Sequence, residues 1–172
     1  MTSKEEAFLV LQAQAGDRGA LEALLRIVQP SLTRYVRSIV GNTGADGVTQ
    51  EVLIAIYRKI WWLSSPDLFR PWMFRIASRA ALRHLTRERR WPPSLRDDEA
   101  LGDVAAPETP ADAVLNELLG DDRVTPASRA VLSLHFQEGM TLLEVAAVLD
   151  IPVGTAKSRL AYGLATLRRH HA

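Results

Sequence analysis

Two groups of side chains carry the chemistry of this 172-residue chain. Arg75, Arg79, Arg83 and Arg87 recur every four residues, a spacing that lines them up on one face of a helix. Guanidinium groups in such a row neutralise phosphates along a nucleic-acid backbone. Near the other end, IPVGTAKSRL sets Thr155, Lys157, Ser158 and Arg159 in the first two turns of an expected helix. Thr and Ser hydrogen-bond phosphates or bases, while Lys and Arg neutralise phosphate or read guanine. No catalytic set accompanies them. His84, His135, His170 and His171 lack the spacing of a metal site, and the chain has neither a phosphate-binding glycine loop nor a nucleophile elbow. No enzymatic activity, metal or cofactor is expected.

The elements that must hold these residues are helical, because apolar positions recur at three and four rather than two. One helix is expected over Glu5 to Ala15, ended by Gly16. Asp17 then caps a second that reaches about Val40, kinked at Pro30. A third spans about Asp46 to Trp62, and a fourth runs from near Phe69 to about Arg90, with the arginine stripe opposite a face of Met73, Ala77, Ala81 and Leu85. WPPSLRDDEALGDVAAPETP, rich in proline and acid, reads as a linker. Further helices are expected near Asp112–Leu119, Pro126–Gln137, Leu142–Leu149 and Val153–His170. The fold class is therefore all-α, with two small helical domains, 1–90 and 112–172, joined by an acidic Pro-containing linker over 91–111.

Within the second domain the pattern fits a helix-turn-helix. Thr141 and Glu144 have the spacing of a capping box. Asp150 stands at the turn, where the backbone tends to positive φ, and Pro152 stands where a helix start tolerates a missing N–H.

Charge supports a polyanionic partner. The net charge is +1, yet residues 70–96 hold eight arginines against Glu88 alone, and residues 97–122 hold nine acids and no Lys or Arg. After Asp150 there is no acid. The absence of cysteine excludes disulfides and thiolate metal sites. The N-terminus is wrong for a secretory signal and no apolar run is long enough to span a bilayer, so a cytoplasmic protein without membrane insertion is expected. With Ala172 just past the last expected helix, no added C-terminal sensory domain is expected.

VTPASRAVLSLHFQEGMTLLEVAAVLDIPVGTAKSRLAYGLATLRR resembles region four of bacterial sigma factors, especially the extracytoplasmic-function (ECF) group. The helix-turn-helix of LuxR-type regulators is similar to this end alone. Upstream, AGDRGALEALLRIVQPSLTRYVRSIVGN, TQEVLIAIYRKIW and FRPWMFRIASRAALRHLTRERR resemble, in order, the helices of sigma region two.

The resemblance implies partners and roles: core RNA polymerase, touched at its clamp and flap; promoter DNA; and an anti-sigma factor or other regulator. It implies that Thr155, Lys157, Ser158 and Arg159 read the −35 element. For the −10 region it implies the loop residues Ser64, Ser65, Asp67, Phe69 and Arg70, which would capture a flipped base, together with Arg75, Arg79, Arg83 and Arg87. Trp61, Trp62 and Trp72 are expected in the core rather than on the stacking surface. Asp46, Gln50 and Glu51 would face the polymerase clamp. The family usually has an acid at the position of Gly47, so phosphorylation of Thr49 (or Thr43) would supply the missing charge. Two other readings stay open: a stand-alone helix-turn-helix regulator, and a sigma-like decoy that binds an anti-sigma factor.

Overall fold

The computed structural model describes residues 3–90, 117, 119 and 123–170. The whole of the expected linker over 91–111 and most of the helix over 112–119 lie outside these. Among the described residues there is no strand. Seven α-helices have both ends among the described residues: α1 (Ser3–Gln14), α2 (Arg18–Val40), α3 (Asn42–Lys59), α4 (Phe69–Arg90), α5 (Pro126–Leu132), α6 (Leu142–Leu149) and α7 (Val153–His170). A π turn, Ser133–Gln137, prolongs α5, and short 3-10 turns occupy Ile60–Trp62 and Pro66–Leu68.

Local chemistry sets the ends. Asp17 caps α2 by accepting the Ala20 N–H at 3.0 Å, and the helix runs on through Pro30. Gly41, at φ 82°, turns the chain out of α2 while its N–H donates to the Arg37 carbonyl at 2.9 Å. α3 then starts at Asn42, a turn earlier than its glycines suggested. The reason is packing: a Cβ at Gly44 would overlap the His84 imidazole of α4, so glycine lets the two helices approach. Where α3 ends, Gln14 donates to the carbonyls of Ile60 and Leu63, both at 2.8 Å, and ties α1 to the turn.

α6 and α7 form the helix-turn-helix. Thr141 and Glu144 cap each other reciprocally, Asp150 adopts the left-handed conformation at φ 56°, and the Pro152 carbonyl accepts from Thr155 and Ala156 at 3.0 and 3.1 Å. Replacing Thr141 by Ala should cost about 1 kcal/mol in chemical denaturation. The capping bonds from Thr141, backbone first and side chain second, hold the Glu144 carboxyl below its ordinary pKa. A group with a depressed folded pKa stabilises above its unfolded pKa and loses that contribution as pH falls through the folded value. Glu144→Gln, which removes the titrating group, should therefore flatten the acid limb of the stability profile, measured by urea midpoints from neutrality downward.

The described residues of the two helical units pack against each other. Leu24, Val28, Tyr35, Val36, Val52, Ile56 and Phe74 from the first half share one buried cluster with Val131, Leu134, Val145 and Val148 from the second. Buried Arg129 reinforces the joint, donating to Val124 O at 2.8 Å and across the halves to Ser38 O at 3.4 Å. A separate small cluster of Leu119, Val124, Leu132 and Leu167 holds α5 to α7.

Candidate nucleic-acid interface

α4 presents the arginine stripe as its spacing demands. Arg75, Arg79, Arg83 and Arg87 are all exposed, while Met73, Phe74, Ala77, Ala80 and Ala81 on the other faces are buried. Two of the four already have protein partners. Arg83 donates to Glu51 of α3 at 2.6 Å, so one member of the stripe touches one residue of the expected clamp surface. Arg83 is exposed and Glu51 only half-buried, and such solvent-reached pairs are worth at most about 1 kcal/mol, so another anion displaces Glu51 at little cost. Arg75 donates to the Ala147 carbonyl of α6 at 2.7 Å. The helix-turn-helix thus covers one end of the stripe.

In α7, Lys157 and Ser158 are exposed and Thr155 is half-buried. Ser158 donates to Thr155 O at 3.0 Å. Half-buried Arg159 lines a 110 Å³ groove with Ile39, Ser78, Leu82, Ala130 and Leu149. Of the expected −35 reader, Arg159 is the member that meets residues of α2 and α4, while Lys157 and Ser158 stay exposed.

The loop before α4 divides differently from expectation. Ser64, Ser65 and Asp67 are exposed. Phe69 is buried, its ring 6.0 Å from Trp72, so it belongs to the core and offers no wall to a flipped base. Arg70 is ion-paired: Nε and Nη2 lie 2.6–2.9 Å from the Glu6 carboxylate of α1, and Nη1 lies 3.1 Å from Glu138. The Glu6 bonds above all, with Glu138 adding to them, hold the guanidinium pKa above its ordinary value against the effect of burial. The aromatic surface is elsewhere. Trp62 is 79% exposed and Trp61 46%, with Leu68 exposed beside them. This corrects the expectation that both tryptophans fill the core: the 3-10 turn buries Ile60 and Leu63 and turns the intervening pair outward.

On α3, Asp46 and Gln50 are exposed and Glu51 is half-buried. Ile54, Tyr57 and Trp61 continue the same exposed line; their spacing from Asp46 and Gln50 was legible but went unread. Thr49 is buried at 4% exposure, so the folded chain withholds its hydroxyl from a kinase and corrects the expected modification site. Its Oγ1 has no hydrogen-bond partner among the described residues. An unpaired buried hydroxyl is a cost, so Thr49→Val should leave stability unchanged or raise it by about 1 kcal/mol; thermal unfolding checks this.

No group of metal-ligating side chains occurs among the described residues, and none of the described helices is long and apolar enough to cross a membrane.

Comparison with known proteins bears on both halves. The sigma-70 region 2 family matches residues 24–91 and the sigma-70 region 4 family residues 122–169. The RNA polymerase sigma-H factor of Pseudomonas aeruginosa is 28% identical over 93% of this chain and 90% of its own length. The ECF RNA polymerase sigma-E factor of Escherichia coli K12 is 28% identical, covering 88% of this chain and 86% of that protein. A solved structure, CnrH in complex with the cytosolic domain of CnrY, superposes with a TM-score of 0.67 at 25% identity and covers 95% of each chain. With region two and region four in this order, and relatives similar across nearly the full length, the chain belongs to the ECF group of sigma factors.

Proposed function

We propose that this sigma factor docks on the polymerase clamp through α3, contacts the −10 region through α4 and the loop before it, and reads the −35 element with α7. The observation that carries the reading is the exposed four-arginine stripe of α4, with Trp61 and Trp62 exposed on the turn upstream and the helix-turn-helix reaching the stripe at Arg75. Phosphates meet Arg75, Arg79, Arg83 and Arg87. Ser64, Ser65 and Asp67 supply polar edges to an extruded −10 base, and the two tryptophans give it a stacking surface. Thr155, Lys157, Ser158 and Arg159 enter the major groove at the −35 element.

Polymerase docking uses Asp46, Gln50 and Glu51 with the apolar line Ile54, Tyr57 and Trp61. Exposed Phe136 and Leu143 of region four offer an apolar contact to the flap. The functional division is 1–90, a tether over 91–111, and 112–172, acting in the cytoplasm. The seam closed by Arg75 and Ala147 has to part before both promoter elements are engaged. An anti-sigma factor that favours the closed seam belongs to the same reading, supported by the CnrH neighbour, whose structure contains the cytosolic domain of CnrY.

The test is in vitro transcription with purified core polymerase on a library of genomic promoter fragments. Specific initiation that depends on the added chain is expected. If no fragment is transcribed above the core-only background, the reading fails.

A further inference from the structure

We propose that Arg34 and Arg70 form an anion site for a backbone phosphate of promoter DNA, and that Glu138 fills this site while the two halves are closed. The inference rests on the sigma-factor reading for the identity of the DNA. Its geometry stands on the ion pairs alone.

Arg34 Nη2 lies 3.1 Å from Oε1 of Glu138, and Arg70 Nη1 lies 3.1 Å from Oε2. Two guanidinium groups from α2 and α4 thus converge on one carboxylate, one on each oxygen, and that carboxylate side chain is only 3% exposed. A phosphodiester presents two unbridged oxygens in a similar fork, and arginine binds carboxylate and phosphate through the same donors.

The site is built entirely by the N-terminal half; only its occupant comes from the other. Glu6 grips the Nε and Nη2 edge of Arg70 from α1, which fixes the guanidinium whether or not Glu138 is present. The Nη1 corner is the part turned to Glu138. Arg34 Nε is buried without a hydrogen-bond partner among the described residues, so the site holds a donor in surplus. Once Glu138 withdraws, Arg34 and Arg70 lose the carboxylate they share, while Arg70 keeps its pair with Glu6. A 230 Å³ cavity adjoins Arg70 and is lined by Glu6, Asp67 and Phe69 on one side and by Glu138, Met140 and Glu144 on the other, so withdrawal of the second half also removes two of its four carboxylates. With the second half withdrawn, a strand held on that loop approaches Arg70 from this side.

Glu138 and DNA therefore compete for the same two cations. DNA binding opens the halves, and the closed halves lower affinity for DNA. Arg34, outside both the stripe and the loop, becomes a phosphate contact.

The test uses the full chain. It contains no cysteine, so Gln29→Cys and Ala165→Cys, both at exposed positions, accept spin labels for distance measurement. Glu138→Gln should broaden a single short distance distribution towards longer values. In fluorescence anisotropy with a short −10 oligonucleotide, the same variant should bind about tenfold tighter at low salt. It should also show a salt slope steeper by about one phosphate contact. Adding Arg34→Ala should remove both gains. Unchanged affinity in Glu138→Gln, or a gain that survives Arg34→Ala, would overturn the site. Should Glu138→Gln not fold, the wild-type chain carries the test: oligonucleotide should lengthen its label distance, and less so in Arg34→Ala. Transcription by the wild-type chain separates the two readings. No initiation alongside intact DNA-linked opening defeats the sigma reading alone, whereas initiation with binding indifferent to Arg34 defeats only the anion site.

Discussion

Replacing Arg79, Arg83 and Arg87 together by Glu should abolish promoter-directed transcription while leaving the protein folded. The three side chains are exposed on α4, and the face opposite them carries the packing. The one bond lost among those described is the exposed Arg83–Glu51 pair, worth at most about 1 kcal/mol. The effect on DNA is larger for two reasons. Three phosphate contacts disappear, which removes about three units from the slope of log affinity against log salt. Three carboxylates then face the phosphates and repel them. At moderate salt a loss of about a hundredfold or more in −10 DNA affinity is expected. Anisotropy titrations at several salt concentrations measure it, and circular dichroism confirms the helices. A variant that transcribes within a few-fold of wild type would remove α4 from the DNA surface. Arg75 is left unchanged in this variant because its bond to Ala147 O would mix the closing of the halves into the result.

The second large effect concerns the core. Phe74→Ala should destabilise the chain by about 3–5 kcal/mol, a large share of the total stability of an ordinary domain. Phe74 is fully buried, and its ring meets Tyr35 edge-on with centroids 5.1 Å apart. Tyr35 is itself fully buried and shares a 2.6 Å hydrogen bond with Ser78, one turn from Phe74 on α4. Burial pushes the phenol pKa far above its ordinary value, so it stays protonated. Truncating Phe74 leaves a cavity beneath that pair, in the cluster where both halves meet. The melting temperature should fall by about 6–20 °C, read by calorimetry. Tyr35→Phe is the control, expected to cost about 1 kcal/mol because it removes one hydrogen bond and keeps the ring. Equal losses in the two variants would refute the packing account.

Some of the architecture, and the exposure of the cationic face of α4, follow from the sequence pattern alone. Helix periodicity placed α2, α4 and α7 to within a residue or two, because an amphipathic stripe repeats at a fixed local interval. Capping chemistry is equally local: Asp17, the Thr141–Glu144 box and the left-handed Asp150 were each anticipated from residues a few positions apart. The arginine stripe is local in the same way. Trp61 and Trp62 were misread because a 3-10 turn has three residues per turn, and its outward positions differ from those an α-helix assigns. Thr49 was misread because its burial depends on what α3 packs against, which no spacing within α3 reveals.

By itself, then, the sequence determined the all-α class, the helix-turn-helix, the cationic face and the family resemblance, all carried by short-range spacing and by the order of segments. Tertiary structure alone decided that the halves close on one core, that Phe69 turns inward, and that Arg70 faces Glu6 and Glu138. Those last partners are separated along the chain by 64 and 68 residues. An ion pair at such distance leaves no periodic trace, since any exposed glutamate would fit the pattern equally well. Only the packing of α1, α2 and α4 against the end of α5 selects which carboxylate the arginines meet.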